Sequence, residues 1–210
     1  MEIVIATRNP GKTREIEEAL SELPVRLRYL SEFPNVSSVD EVGRTYRENA
    51  VLKALSYAKQ TGIHALADDS GLEVDALGGM PGVFSARFAG THAADLERIE
   101  KLLAALSECQ LGQRTARFVC CMALAGWHAE ADHVNNAEPH ILNLAEATCE
   151  GVIDTIARGT NGFGFDPVFV PAGHSATFAQ LPSEVKNTIS HRALALKVMR
   201  EFLDRWFSQT

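Results

Sequence analysis

The sequence has no C-x-x-C pair, no cluster of basic residues and no apolar stretch long enough to cross a bilayer, and each absence removes a class of protein. Its four cysteines, Cys109, Cys120, Cys121 and Cys149, have no histidine at zinc-finger spacing, which argues against a structural zinc. Cys120 and Cys121 lie inside an apolar run and read as buried free thiols, the state expected in a reducing, cytoplasmic compartment. The start, Met1-Glu2-Ile3-Val4-Ile5, carries an acid where a secretory signal would carry bases. With a formal net charge of -7 and scattered lysines and arginines, no nucleic-acid-binding face is expected. A few isolated cations are still enough for phosphate, which needs local rather than global positive charge. There is also no internal repeat, low-complexity tract or linker, so the 210 residues are expected to form one domain, 1–210.

What is present is an ordinary globular composition, 46% hydrophobic, which leaves ample material for a core. Glu2 to Ala6 reads as a short buried strand, followed by the Pro- and Gly-marked loop Thr7-Arg8-Asn9-Pro10-Gly11-Lys12. Ile16, Ala19, Leu20 and Leu23 then recur at helical spacing. Val25, Leu27 and Tyr29 alternate as a second strand, and Ala50, Val51, Ala54, Leu55 and Ala58 mark a helix stopped near Gly62. His64 to Asp68 is expected to be a short strand that ends in an acidic turn, Asp69-Ser70-Gly71. Gly78 to Gly82 reads as a loop, and Leu96 to Leu106 as an amphipathic helix. Arg117 to Ala125 is expected to be a central strand, Val152 to Ile156 a further strand, and Ile189 to Trp206 one long helix. Strands alternating with helices predict an α/β fold, and the irregular order between residues 110 and 157 predicts a mixed sheet with flanking helices.

Several short constellations could carry chemistry, and each also has a purely structural reading. The loop Thr7 to Lys12 sits where a strand hands over to a helix, so its backbone N–H groups and Lys12 could meet an anion. It lacks the Walker A spacing, and alone it could equally be a capped turn. Asp68 and Asp69 at a strand end could hold Mg²⁺, or one of them could take a proton from water. Glu41 and Glu48 flank the start of the helix that carries Lys53, where acids commonly complement the helix dipole. In Gly162-Phe163-Gly164-Phe165-Asp166-Pro167, glycine permits an unusual backbone while a phenyl ring offers a stacking face for a base. Lys186 and Ser190-His191-Arg192 fall near the last helix, where Arg192 could donate two parallel hydrogen bonds to a purine edge or a phosphate. The seven histidines share no metal-ligand spacing.

Taken in order, T-x-N-x-G-K, E-N-A-x-x-K-A, A-D-D-S-G-L, G-G-x-P-G-x-x-S-A-R, G-F-G-F-D-P and Lys186 with S-H-R resemble the inosine triphosphate pyrophosphatase family, bacterial type, from Ile3 to about Leu203. The resemblance implies two lobes around a central substrate cleft, a homodimer, and hydrolysis of triphosphates such as those of inosine and xanthosine. It implies water attack at the α-phosphorus and release of pyrophosphate, with Mg²⁺ as cofactor. By position, Thr7, Arg8, Asn9, Pro10, Gly11 and Lys12 would hold the triphosphate, with Lys53 adding charge. Glu41, Asp68 and Asp69 would organise the metal, and Asp69 would be the general base. Ser70 would touch substrate, Phe163, Gly164, Phe165 and Asp166 would line the base and sugar pocket, and Lys186, His191 and Arg192 would read the base. A donor such as Arg192 would pair with the 6-oxygen of hypoxanthine or xanthine but not with the 6-amine of adenine.

Two departures from the family pattern stand out. Arg8 occupies a position where many members have a small residue, and Trp127 to Cys149 matches nothing and reads as an elaborated hairpin. Two other functions fit the same residues less closely. A pyrophosphatase of different specificity would use the Phe163–Arg192 region differently. A nucleotide sensor would be expected to lack one of the three acids.

Overall fold

A computed structural model describes residues 1–127 and 138–208. Strand β1, Glu2–Ile5, is a short β-branched run with Ile3, Val4 and Ile5 almost wholly buried. It lies parallel to both β2, Arg26–Tyr29, and β3, His64–Val74, with Ile3 opposite Leu27 on one side and His64 on the other. Burial between two neighbours explains why this strand is continuously apolar rather than alternating. Parallel strands need a crossover, and helix α1, Pro10–Leu20, supplies the one between β1 and β2 while burying Ile16 and Leu20. Helix α2, Tyr46–Thr61, buries Ala50, Ala54, Tyr57 and Ala58. It ends where Gly62 takes φ of 69°, a left-handed cap that glycine adopts without strain.

Helix α3 is Asp95–Ala105, strand β4 is Thr115–Gly126, strand β5 is His140–Ile153, and β6 is Phe169–Pro171. Among the described residues the strands form one sheet in the order β2-β1-β3-β4-β5-β6. The β1 pairs are parallel and the β5–β6 pair is antiparallel, so the sheet is mixed, as the sequence predicts. No described helix is long and apolar enough to cross a membrane.

The chain divides into two compact units. The first comprises residues 1–69, 120–146 and 195–210, and the second residues 70–119 and 147–194. The second has its own core, in which Leu72, Leu102, Leu106, Phe118, Phe169 and Phe178 are buried together.

Three expectations are corrected. The turn at Asp69-Ser70-Gly71 does not form; β3 runs straight through to Val74. Polar residues suggest a turn because burying them is costly, but here their side chains have partners on neighbouring elements, so the strand can continue. Strand β5 begins at His140 and ends at Ile153, so Val152–Ile156 is only its tail plus an irregular segment. Its half-exposed residues hide it from a search for apolar runs. The hairpin expected over Trp127 to Cys149 is not among these corrections: its residues 128–137 lie outside the described residues. The final helix is two, α4 (Ser183–Ile189) and α5 (His191–Phe207). Ser190 between them is extended, with φ −71° and ψ 153°, and its hydroxyl accepts the Ala193 N–H at 3.2 Å. A serine cap of this kind starts a new helix, and it puts His191 and Arg192 in the first turn of α5.

Candidate active site

In the first unit, α2 and β3 bring charge together. Consecutive residues on a strand face opposite ways, and Asp68 and Asp69 do have different partners. Lys12 Nζ lies 2.9 Å from Asp68 Oδ2, whose side chain is wholly buried. Lys53, on α2, lies 2.8 Å from Glu41 Oε1 and 3.2 Å from Asp69 Oδ1. Asn49, one turn earlier on the same face of α2, donates to Asp69 Oδ2 at 3.1 Å. Three carboxylates and two ammoniums thus meet in a largely buried place.

That environment changes the proton affinities. Burial raises the Asp69 carboxyl above the ordinary aspartate range, overcoming the opposing pull of Lys53. Burial works against the charge of Lys53, but Asp69, Asp68 and Glu41 around it more than compensate, so its ammonium holds its proton more tightly than usual. The result is a carboxylate better suited than an exposed aspartate to accept a proton near neutral pH. Among the described residues no group of three or more His, Cys, Asp or Glu side chains is arranged to hold a metal ion. The two lysine ammoniums sit against these carboxylates instead.

The loop before α1 differs from the sequence expectation in one respect. Asn9 is the N-cap, and its Oδ1 accepts the N–H groups of Gly11 and Lys12 at 2.9 and 3.2 Å, with Pro10 in the first turn. Those two amides are therefore occupied rather than presented to an anion. Thr7 Oγ1 accepts the Asn9 N–H at 3.2 Å, and exposed Arg8 donates to the Val36 carbonyl at 3.4 Å. What this loop offers an anion is side-chain charge, from Lys12 and Arg8.

Glu48 is structural. Its carboxylate accepts the Arg44 N–H at 2.6 Å, tying down the residue before the cap, while Thr45 Oγ1 caps the helix by accepting the Glu48 N–H at 3.1 Å. Asn49, by contrast, stands in the E-N-A-x-x-K-A motif, but the sequence reading assigned it no role. The available signal was its place four residues before Lys53 on an otherwise alanine-rich face.

In the second unit, a set of cations gathers over one aromatic ring. Lys186 Nζ lies 4.9 Å and Arg192 Cζ 5.6 Å from the centroid of Phe163, which is half-buried. Arg192, only 1% exposed, donates from Nη2 to Ser70 Oγ at 2.8 Å. Asp166 accepts from Lys186 Nζ at 2.6 Å and from the Phe163 N–H at 2.8 Å, which pins the Phe163 loop to α4. Asp95 Oδ2, at the start of α3, accepts the Gly164 N–H at 2.7 Å and holds the same loop from another side. Gly162, at φ 75°, could not be replaced, because a Cβ there would stand 2.0 Å from Asp166 Oδ2.

The two phenyl rings of the motif separate clearly. Phe165 is packed into the core of the second unit, so the ring left half-exposed is that of Phe163. His191 is buried and stacks on Phe118, with centroids 4.7 Å apart and planes 9° from parallel. That contact seats the first turn of α5 and so aims Arg192.

The chain matches the model of the Ham1 family over residues 3–202. A protein of Desulforamulus reducens named dITP/XTP pyrophosphatase is 45% identical over 208 residues, covering 99% of this chain and 98% of that one. One of Bacillus cereus with the same name is 44% identical over 206 residues, 98% of this chain and 96% of that protein. The solved structure of a HAM1 protein from Coxiella burnetii superposes with a TM-score of 0.84 at 42% identity, covering 98% of this chain and 99% of the other. A dITP/XTP pyrophosphatase structure from Mycobacterium abscessus gives 0.71 at 40% identity, covering 95% and 97%.

Proposed function

The chain belongs to the Ham1 family, and on that premise we propose that it hydrolyses inosine, deoxyinosine and xanthosine triphosphates to the monophosphate and pyrophosphate, clearing them from the nucleotide pool. The observation that carries the reading is Lys53 Nζ held 2.8 Å from Glu41 and 3.2 Å from Asp69, with burial raising the proton affinity of Asp69. A water beside Asp69 gives its proton to that carboxylate as its oxygen bonds to the α-phosphorus. The bond from that phosphorus to the bridging oxygen breaks, and pyrophosphate leaves.

Charge builds on the phosphate oxygens during this step, and Lys12 and Lys53 are placed to offset it. Within the loop from Thr7 to Lys12, the charges of Arg8 and Lys12 bind the triphosphate, since Asn9 holds the amides of Gly11 and Lys12. Glu41, Asp68 and Asp69 offer the carboxylate oxygens that a hard divalent cation prefers, and Glu41 and Asp69 already converge on one positive charge. Of the three, Glu41 and Asp69 would hold Mg²⁺, which when bound would offset further negative charge on the phosphates, while Asp68 faces Lys12.

The purine stacks on Phe163, and Arg192 donates to its 6-oxygen. Adenine presents an amine there, which would leave a buried guanidinium donor without an acceptor, and such mismatches are rejected strongly. The same reading makes the enzyme a cytoplasmic homodimer that does not bind nucleic acid, and analytical ultracentrifugation tests the dimer.

The deciding experiment is pyrophosphate release from inosine, xanthosine, guanosine and adenosine triphosphates, each with and without Mg²⁺. Metal-dependent release from the first two in strong preference supports the proposal. Equal release from all four would remove the base-reading role of Arg192, and release from none would remove the proposal.

A further inference from the structure

We propose that Asn49 is a positioning residue for this hydrolysis, orienting the Asp69 carboxylate and anchoring the segment that carries Glu41 through the two ends of one amide. The inference rests on the function proposed above. Asn49 is 0% exposed and is buried on α2 along with Tyr46, Ala50, Lys53 and Ala54. A buried amide is destabilising unless both its donor and its acceptor are used. Here both are. Nδ2 donates to Asp69 Oδ2 at 3.1 Å, and Oδ1 accepts the Gly43 N–H at 2.8 Å.

The two oxygens of Asp69 are thus held by different groups, Oδ2 by a neutral amide and Oδ1 by the Lys53 ammonium. Two separate partners fix the plane of the carboxylate, whereas the ammonium alone would leave it free to rotate. At the other end, Gly43 lies two residues from Glu41, so the same side chain tethers the approach to a second carboxylate of the cluster. The fit at Gly43 is close: a Cβ there would stand 2.6 Å from Asn49 Oδ1. Aspartate could still accept from Gly43 but has no N–H for Asp69, and alanine could do neither.

The test compares wild type with Asn49→Asp and Asn49→Ala. It measures kcat and KM for inosine triphosphate with Mg²⁺, hydrogen exchange at the Gly43 amide, and thermal melting. For Asn49→Asp, kcat is expected to fall about 10–100-fold, the usual cost of losing a supporting hydrogen bond of this kind. KM should stay within about threefold and Gly43 should remain protected, a split that simple loss of folding or of binding does not produce. Asn49→Ala should lose both kcat and the protection of Gly43. If Asn49→Ala melts below the assay temperature, Asn49→Asp alone decides. A kcat for Asn49→Asp near wild type, or a loss confined to KM, overturns the role toward Asp69. An exposed Gly43 amide in Asn49→Asp overturns the anchoring role. A wild type inert toward every triphosphate removes the proposed function, and this inference with it, before any variant is considered.

Discussion

Arg192 donates to Ser70 across 122 residues of sequence, and the two are in hydrogen-bond contact at 2.8 Å. Because the guanidinium is buried and already anchored at one nitrogen, its remaining donors are held in a defined direction. Replacing Arg192 with alanine should therefore reduce the preference for inosine over adenosine triphosphate by about 10²-fold in kcat/KM. Arg192→Lys should recover little, since an ammonium cannot donate along two parallel directions. An unchanged ratio in the alanine variant would remove the base-reading role and leave Arg192 as a support for Ser70.

Asp69→Asn separates chemistry from stability. With its proton acceptor gone, turnover should fall about 10²–10⁴-fold. Stability should move the other way in metal-free buffer. Burial raises the carboxyl above its unfolded value, so between the two values the native state binds more protons and stability falls as pH rises. At neutral pH the ionised Asp69 therefore destabilises the fold, and a neutral asparagine relieves that. The variant should melt at or above the wild-type temperature in EDTA at pH 7.5, and the difference should shrink as pH falls toward the aspartate range. A variant that melts lower at every pH would show that the ion pair with Lys53 outweighs burial.

How much of this was legible in the chain depends on the range of the signal. The β1–α1 unit is local: β-branched residues, Asn9 and Pro10 at the cap, and Ile16 and Leu20 at helical spacing specify it within twenty residues. Asp69 stands out as one of two adjacent acids at a strand end, whereas Lys53, by its own pattern a solvated helix lysine, enters only through the family resemblance. What a pattern cannot supply is the partner. Asn49 looks like one more helix residue until Asp69 and Gly43 are seen at its two ends. The A-D-D-S-G-L run reads as a turn because nothing nearby in sequence satisfies its polar groups. Phe163 and Phe165 are equivalent on paper, and only tertiary packing sends one into the core and leaves the other under Lys186 and Arg192.

Lys12 serves two purposes that one pair of variants can distinguish. Its ammonium pairs with Asp68, whose side chain is fully buried, and with Arg8 it is one of the two cations of the loop proposed to bind phosphate. Lys12→Ala should destabilise the fold by on the order of 3 kcal/mol, as expected when one partner of a buried pair is removed. It should also weaken triphosphate binding far more than monophosphate binding, because only the former presents the additional charges. Lys12→Arg should restore stability by keeping the charge. Isothermal titration and chemical denaturation read the two effects separately, and equal losses of tri- and monophosphate affinity would confine Lys12 to its structural pairing.

The cysteines offer a check that involves no substrate. Burial pushes the Cys121 thiol up to about 12 and that of Cys149 up to about 11. Both are buried, Cys121 completely so, and at pH 8 neither carries an appreciable fraction of thiolate, the reactive form. Iodoacetamide should leave both unmodified in the folded protein, as judged by peptide mapping, and should label both once guanidinium chloride unfolds it. The contrast should persist across pH 7 to 9, because the whole interval lies below both raised values. Rapid labelling of Cys121 in the native state would mean that the middle of β4 opens to solvent. The Arg47–Glu146 pair, which lies beside that thiol, would then be the first contact to examine.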